Sequence, residues 1–281
     1  MSRSEGDRNF DDLVEHFAGK IYGDKGQQGN IEKGRLRHAV IRRDLLAEIS
    51  QLRLPDSCAQ MQVLDIGAGL GQWVIELAER GCRLTYNDIS QNMMAAARQR
   101  ATEVLPTAIF EPLSWFAKPY QELQTDIAPN SQDLILCHAL IEWLEEPEQL
   151  LTRLYDWMKP GACLSLCHYN PAGKRLRNLV FGNFKSVERE LSGETIDVSK
   201  MRGGLTPSNP SSIEQIDQWL LAAGFTLISQ SGIRVFSDYT LEKRGGLSSP
   251  EAVFDMEMTM SLDKDLVSSS RYRHLILRKP G

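Results

Sequence analysis

Nine residues, Val63-Leu64-Asp65-Ile66-Gly67-Ala68-Gly69-Leu70-Gly71, constrain the fold of this chain more than any other stretch. The apolar run 61–66 reads as a short buried strand, and the glycine-rich residues 67–71 then lead into a helix through Arg80. Glycine permits a tight turn and lets a ligand approach the main chain without Cβ collisions. Two acids flank the loop. Asp65 precedes the glycines, and the next strand, 82–88, ends in Asn87-Asp88. A carboxylate at that strand end can accept hydrogen bonds from both hydroxyls of an adenosine ribose. The dinucleotide fingerprint is G-x-G-x-x-G and requires no preceding acid. Here the third glycine comes one residue early, which disfavours a nicotinamide site. A ligand-free turn needs neither three glycines nor two acids.

The rest of the chain repeats the strand-then-helix rhythm. Ser90 caps a Met- and Ala-rich helix, 107–113 reads as a weaker strand, 131–140 as a strong one, and 146–158 as a helix broken by Lys159-Pro160-Gly161. Residues 162–170 form a fifth strand. This alternation predicts an α/β, doubly wound, mostly parallel sheet. After Asn170 the rhythm stops. Residues 171–210 are basic, then Gly/Ser/Pro-rich, and too long for an ordinary connection, so they read as an insertion after the fifth strand. A helix at 211–223, a strand region at 225–239, a helix near 249–262 and a last strand at 271–279 complete a seven-stranded pattern. Upstream, residues 1–30 read as a polar arm carrying Phe10, Phe17 and Tyr22. Residues 35–53 read as a helix with an apolar stripe of Ile41, Leu45, Ile49 and Leu52. Arg37 lies on that stripe, one turn before Ile41. A cation on an inward face must find a partner there, because an unpaired buried charge is costly. The arm and helix, 1–53, are expected to belong to the same domain as 54–281.

Composition narrows the class. The chain has 281 residues, a net charge of −5 and 25% charged residues, within the range of ordinary globular proteins. The negative charge argues against broad non-specific nucleic-acid binding, which is driven by phosphate neutralisation. Local basic stretches remain: six Lys/Arg against three acids in 31–53, five against one in 171–189, and four against none in 271–279. No apolar run approaches the ~18 residues of a membrane helix, and the polar start MSRSEGDRNFDD is not a signal peptide. Cys58, Cys82, Cys137, Cys163 and Cys167 form no CxxC pair. They read as buried thiols of a cytoplasmic protein, with no metal site and no disulfide.

The glycine loop with Asp65 and Asp88 resembles that of the class I S-adenosylmethionine methyltransferases. Further segments narrow the likeness: DRNFDD (7–12), IYG (21–23), GRLR (34–37), LDIGAGLGQ (64–72), DLILCHALIEW (133–143), KPGACLSLCHYN (159–170), GNF (182–184), IRVFSDY (233–239) and RYRHLILRKP (271–280). Together they resemble the bacterial tRNA 5-carboxymethoxyuridine methyltransferases over nearly the whole chain. That family esterifies the carboxylate of a wobble uridine in the tRNA anticodon region. The resemblance implies S-adenosyl-L-methionine as cofactor, Arg37 on its carboxylate, Gly67 and Ala68 against it in the loop, and Asp88 on its ribose. It further implies Ser114 and Trp115 near the adenine and His138 near the methionine moiety.

A carboxylate of this kind has a pKa of about 3 to 4 and is already ionised at pH 7. No general base is needed, and none is assigned. Alignment alone can supply as much as ~7–11 kcal/mol. The carboxylate and sulfonium charges cancel during transfer, so a tight arginine clamp would favour substrate over transition state. Neutral donors are expected at the reacting oxygens, and cations at phosphates. Candidate substrate residues are Tyr169 for stacking, Lys174, Arg175 and Arg177 for phosphates, and Asn170 for orientation or capping. Phe181 and Phe184 could stack a base or join the core. Glu142 could serve the cofactor site or start a solvated helix. His16, His38, His274, Trp143 and Trp157 read as packing or surface residues. Two other readings stay open: a methyltransferase for a small carboxylic acid with 171–210 as a lid, and a non-catalytic cofactor- or RNA-binding module.

Overall fold

The computed structural model describes residues 7–17, 28–51, 61–192, 207, 210–240 and 250–281. Cys58, Tyr22, Leu52 and most of 193–209 lie outside the described residues. Strands β1 (Gln62–Ile66), β2 (Arg83–Asp88), β3 (Ser114–Ala117), β4 (Gln132–His138), β5 (Met158–Tyr169), β6 (Thr226–Ile233) and β7 (Tyr272–Arg278) form one sheet of order β3-β2-β1-β4-β5-β7-β6. β1 to β5 pair in parallel, and β7 runs antiparallel between β5 and β6. The described helices are α1 (Gln28–Gln51), α2 (Gln72–Glu79), α3 (Gln91–Val104), α4 (Thr107–Phe110), α5 (Pro147–Trp157), α6 (Pro171–Val180), α7 (Phe184–Leu191), α8 (Ile213–Ala223), α9 (Pro250–Met260) and α10 (Lys264–Val267).

Successive side chains on a strand face opposite ways, and this splits the core in two. Val63, Leu134, Leu136, Cys163 and Cys167 pack with Leu36, Val40, Ile41 and Leu45 of α1 and with Val74 and Leu77 of α2. Leu64, Ile66, Ile135, Cys137, Leu164 and Leu166 pack with Leu150, Leu151 and Leu154 of α5 and with Ile216 and Leu220 of α8. Both faces of the sheet are covered, so its central strands are apolar on both sides, as in other parallel sheets. Cys82, Cys137, Cys163 and Cys167 are buried thiols, and burial pushes Cys163 and Cys167 up to about 12. No cluster of three or more His, Cys, Asp or Glu that could hold a metal occurs among the described residues. None of the described helices is long and apolar enough to cross a membrane.

Two sequence expectations change and a third is filled in. The third strand is not 107–113. Pro106 starts the short helix α4, Pro112 has no N–H for a ladder, and pairing with Thr85 begins only at Ser114. The insertion 171–210, whose internal structure the sequence left open, begins as two helices, α6 and α7. The basic stretch 271–279 is not a surface patch but an interior strand whose cations are spent internally. Arg271 pairs with Asp238, Arg273 with Asp217, and Arg278 with Glu48, while Lys279 donates to the carbonyls of Tyr155 and Met158.

Candidate active site

From β1 the sheet grows outward through β2 and β3, and the chain then crosses back to β4 on β1's other side. Ligands of open α/β sheets bind at this reversal, beyond the carboxyl ends of the strands. A cavity of about 520 Å³ lies there, within the usual range for small-molecule sites. Its floor is the glycine loop. Gly67, Gly69 and Gly71 have φ of +67°, +53° and +68°. A Cβ on Gly67 would lie 3.0 Å from Leu140, and one on Gly71 2.9 Å from Ala97. The loop is tied to the end of β2. Gly69 N–H donates to Asp88 Oδ2 (2.9 Å), Ala68 N–H to the Asn87 carbonyl (3.0 Å), and the Tyr86 hydroxyl to the Gly69 carbonyl (2.7 Å). Ser90 caps α3 through Met93 N–H and donates its own N–H to Asp88 Oδ1 (2.9 Å).

Four carboxyl groups reach the cavity without an ion-pair partner among the described residues: Asp7 from the arm, and Asp65, Asp88 and Glu142 from the strand ends and the turn after β4. Asp65 Oδ2 and Glu142 Oε2 are buried with no hydrogen-bond partner among the described residues. Burial, with the Asp88 charge added, pushes Asp65 up to about 8. Burial pushes Glu142 up to about 7 against the pull of backbone hydrogen bonds and the Arg37 charge, and it raises Asp88. Unsatisfied buried acceptors are costly, so this wall is built for a ligand bearing positive charge and donors.

The facing wall comes from α1. Its cations Arg35, Arg42 and Arg43 pair with Glu251, Glu76 and Asp44 at 2.9, 2.6 and 2.7 Å. Arg37 lines the cavity, stands 5.7 Å from the Tyr272 ring, and has no carboxylate partner among the described residues. His138, at the end of β4, also lines the cavity. Its Nε2 lies 2.8 Å from Ser165 Oγ, which is 2.8 Å from His274 Nε2, whose Nδ1 is 2.8 Å from Asp44 Oδ2. These contacts form one chain of polar groups from the cavity wall to α1. Burial holds His138 well below the ordinary histidine range, so it is a neutral ring, held in place by its contact with Ser165.

Of the residues proposed from sequence, Arg37, Gly67, Ala68, Asp88 and His138 come together at this cavity. Ser114 and Trp115 do not line it. They sit at the start of β3, with Trp115 packed on Tyr86 (5.0 Å), and the chain reaches the cavity further on, at Lys118, Pro119 and Tyr120. Tyr169, Asn170, Lys174, Arg175 and Arg177 do not line it either. Tyr169 is buried and accepts from Arg271. Asn170 is buried, caps Ala172 N–H, and donates to the carbonyls of Ser268 and Ser270. Arg175 pairs with Glu190, and Arg177 lies over the Phe181 ring. Phe181 and Phe184 are exposed.

Sequence reasoning missed several cavity residues. Trp73 stacks on His38 (4.5 Å) and meets His138 edge-on. Phe10 packs edge-on against Trp143 at 5.0 Å. The arm is held by Asp7, which accepts from Glu145 N–H, and by Asp11, which accepts from the Ser90 hydroxyl. The periodicity of an aromatic-bearing arm could not show which surface it would meet.

Residues 64–166 match the family model described as a methyltransferase domain. A curated relative, the tRNA 5-carboxymethoxyuridine methyltransferase of Escherichia coli (strain K12), is 33% identical over 277 residues, 98% of this chain and 97% of the relative. The trans-aconitate 2-methyltransferase of Deinococcus radiodurans is 30% identical over 137 residues, 48% of each chain. Among solved structures, magnesium protoporphyrin IX methyltransferase (ChlM) from Synechocystis PCC 6803 with bound SAH superposes with a TM-score of 0.61 at 15% identity, covering 96% of this chain and 97% of that one. Sheet, loop and relatives define an S-adenosylmethionine-dependent methyltransferase of class I. Within that class, the chain belongs to the tRNA 5-carboxymethoxyuridine methyltransferase family.

The residues present fit this cofactor. It carries a sulfonium, an ammonium, a carboxylate and a ribose diol. The cavity offers the buried oxygens of Asp65 and Glu142, an Arg37 with no carboxylate partner among the described residues, and a glycine loop whose main chain lines the cavity.

Proposed function

We propose that this enzyme converts the carboxylate of 5-carboxymethoxyuridine, at the wobble position of the tRNA anticodon, into its methyl ester in the cytoplasm. The observation that carries this reading is likeness along the whole chain, 98% of it, to a relative named for that nucleoside. Arg37 would hold the cofactor's carboxylate, Gly67 and Ala68 its backbone-facing edge, and Asp88 its ribose. Lys118 to Tyr120, in place of Ser114 and Trp115, would border the adenine, and His138 the methionine part. When bound there, the cofactor would supply a methyl carbon activated by its sulfonium for attack by the carboxylate oxygen, with the neutral thioether as leaving group. The chain's own task is alignment. The fixed, neutral His138 ring removes no proton from an already ionised carboxylate, and the Phe10–Trp143 contact adds an apolar wall.

The test is nucleoside mass spectrometry of tRNA from cells with and without this protein, together with transfer of labelled methyl to tRNA in vitro. Loss of the methyl ester with build-up of the free acid is the expected result. A second reading, a small carboxylic acid as methyl acceptor, draws on the relative named for trans-aconitate. Methylation of small acids but not of tRNA would favour it.

A further inference from the structure

The stretch 233–239, just beyond β6, is given no part by the cofactor site, yet its backbone is held in a costly shape. Arg234 has φ of +59°, a left-handed conformation that residues with a Cβ seldom adopt. Strain of this kind persists only where the surroundings impose it, and it clusters at ligand sites. Here the surroundings are one carboxylate. Glu257 of α9 is fully buried, and its oxygens accept the main-chain N–H groups of Val235 (3.0 Å), Phe236 (3.1 Å) and Ser237 (2.6 Å). The anchored turn delivers Arg234 to the cavity wall beside Tyr272 and Lys33.

The guanidinium is only half used. Its Nε and Nη2 both donate to Asp238 Oδ1, while Asp238 Oδ2 accepts from Arg271 Nε (2.9 Å) and Nη2 (2.7 Å). Arg234 Nη1 has no hydrogen-bond partner among the described residues. The surroundings are cationic. Burial first, then the charges of Arg234, Arg177 and Arg271, hold Lys33 below the ordinary lysine range, with Asp238 opposing. The carboxyl groups Asp65, Asp88 and Glu142 come from β1, β2 and the turn after β4, while these cations come from α1 and the turn after β6.

The geometry points to Arg234 as the residue that receives the substrate's carboxylate, through Nη1, with Glu257 as the positioning residue that keeps it there. This rests on the methyl-ester reading above. It also revises the expectation that only neutral donors meet the reacting oxygens. A bare arginine would hold the ground state too tightly. Arg234 shares Asp238 with Arg271, so its charge is partly offset by that carboxylate and its donor is directed but tempered.

The experiment uses the full chain with Arg234→Gly, because glycine adopts the left-handed backbone without strain. Two anticodon stem–loop RNAs are compared, one carrying 5-carboxymethoxyuridine at the wobble position and one carrying uridine, and S-adenosylhomocysteine binding is measured alongside. The expected result is a thermal midpoint within a few degrees of wild type and S-adenosylhomocysteine affinity within about twofold. Affinity for the modified RNA should fall about tenfold or more, to that of the uridine RNA. A retained preference for the modified RNA overturns the proposal. So does an equal fall for both RNAs, which would mark a phosphate contact, and so does loss of S-adenosylhomocysteine affinity. Arg234→Lys, which keeps charge but not the fork, is the second variant if the glycine variant does not fold, and a retained preference there also overturns the proposal. Glu257→Gln should raise KM for modified RNA, with no further rise when combined with Arg234→Gly; additive effects would remove Glu257 from this role. An inactive wild type on modified RNA sinks the ester reading and this one together. An active wild type with an unaffected Arg234→Gly sinks this one alone.

Discussion

Asp65 holds its proton more tightly in the folded protein than in the unfolded chain, because burial and the Asp88 charge raise it from 3.8 to about 8. The folded state therefore binds an extra proton between those values. The stability this confers is full below about pH 4 and is lost as pH rises through about 8. Ligand-free enzyme should unfold at a lower temperature at pH 8.5 than at pH 5.5, and Asp65→Asn should flatten that fall. A cationic cofactor reverses the preference, since it favours the ionised carboxylates of Asp65 and Glu142. Its KM should drop as pH rises through about 7 to 8, while kcat at saturation stays flat because no substrate proton is removed. Initial-rate profiles from pH 6 to 9 would check this, and a kcat that climbs with a group near pH 7 would contradict it. The acids of the loop were legible from spacing alone. The burial of Glu142 was not, because the residue preceding Trp143 reads equally as a solvated helix start.

At the scale of elements, the start of α6 shows how a polar residue can be read two ways. Asn170 follows β5 at the place where a substrate contact was expected, but all of its amide atoms serve the frame: one caps Ala172, and two donations tie β5 to the carbonyls of Ser268 and Ser270. Asn170→Ala removes a cap and leaves buried carbonyls short of donors, a loss of about 2 kcal/mol or more. Urea unfolding should show that loss with KM for RNA changed by less than threefold. A large KM effect at unchanged stability would restore the substrate role. β1, β4 and β5 were readable as short apolar runs bounded by turn residues, the pattern of strands buried on both faces. β3 was misread because Thr107-Ala108-Ile109-Phe110 has strand-like side chains, while the turn imposed by Pro106 decides its shape.

For the whole molecule, the cavity is closed from parts far apart in sequence: an arm at 7–17, a helix at 28–51 and the strand ends. Phe10 contributes an edge-on aromatic contact, a kind worth about 0.5–1.5 kcal/mol. Phe10→Ala should speed S-adenosylhomocysteine release about fivefold in stopped-flow measurements, with little change in thermal midpoint. Sequence could assign the arm its aromatics but not its destination, which depends on Glu145, Ser90 and Trp143 arriving from elsewhere. The placement of β7 has a consequence for biogenesis. A strand formed by residues 272–278 lies inside the sheet, hydrogen-bonded to β5 and β6 on its two sides. A nascent chain emerging from the ribosome can assemble β1 to β5 early, but it must carry an open β5 edge until those late residues are synthesised. Translation at about 5–20 residues per second makes that exposure several seconds long, a window in which the unfinished enzyme is a client for chaperones.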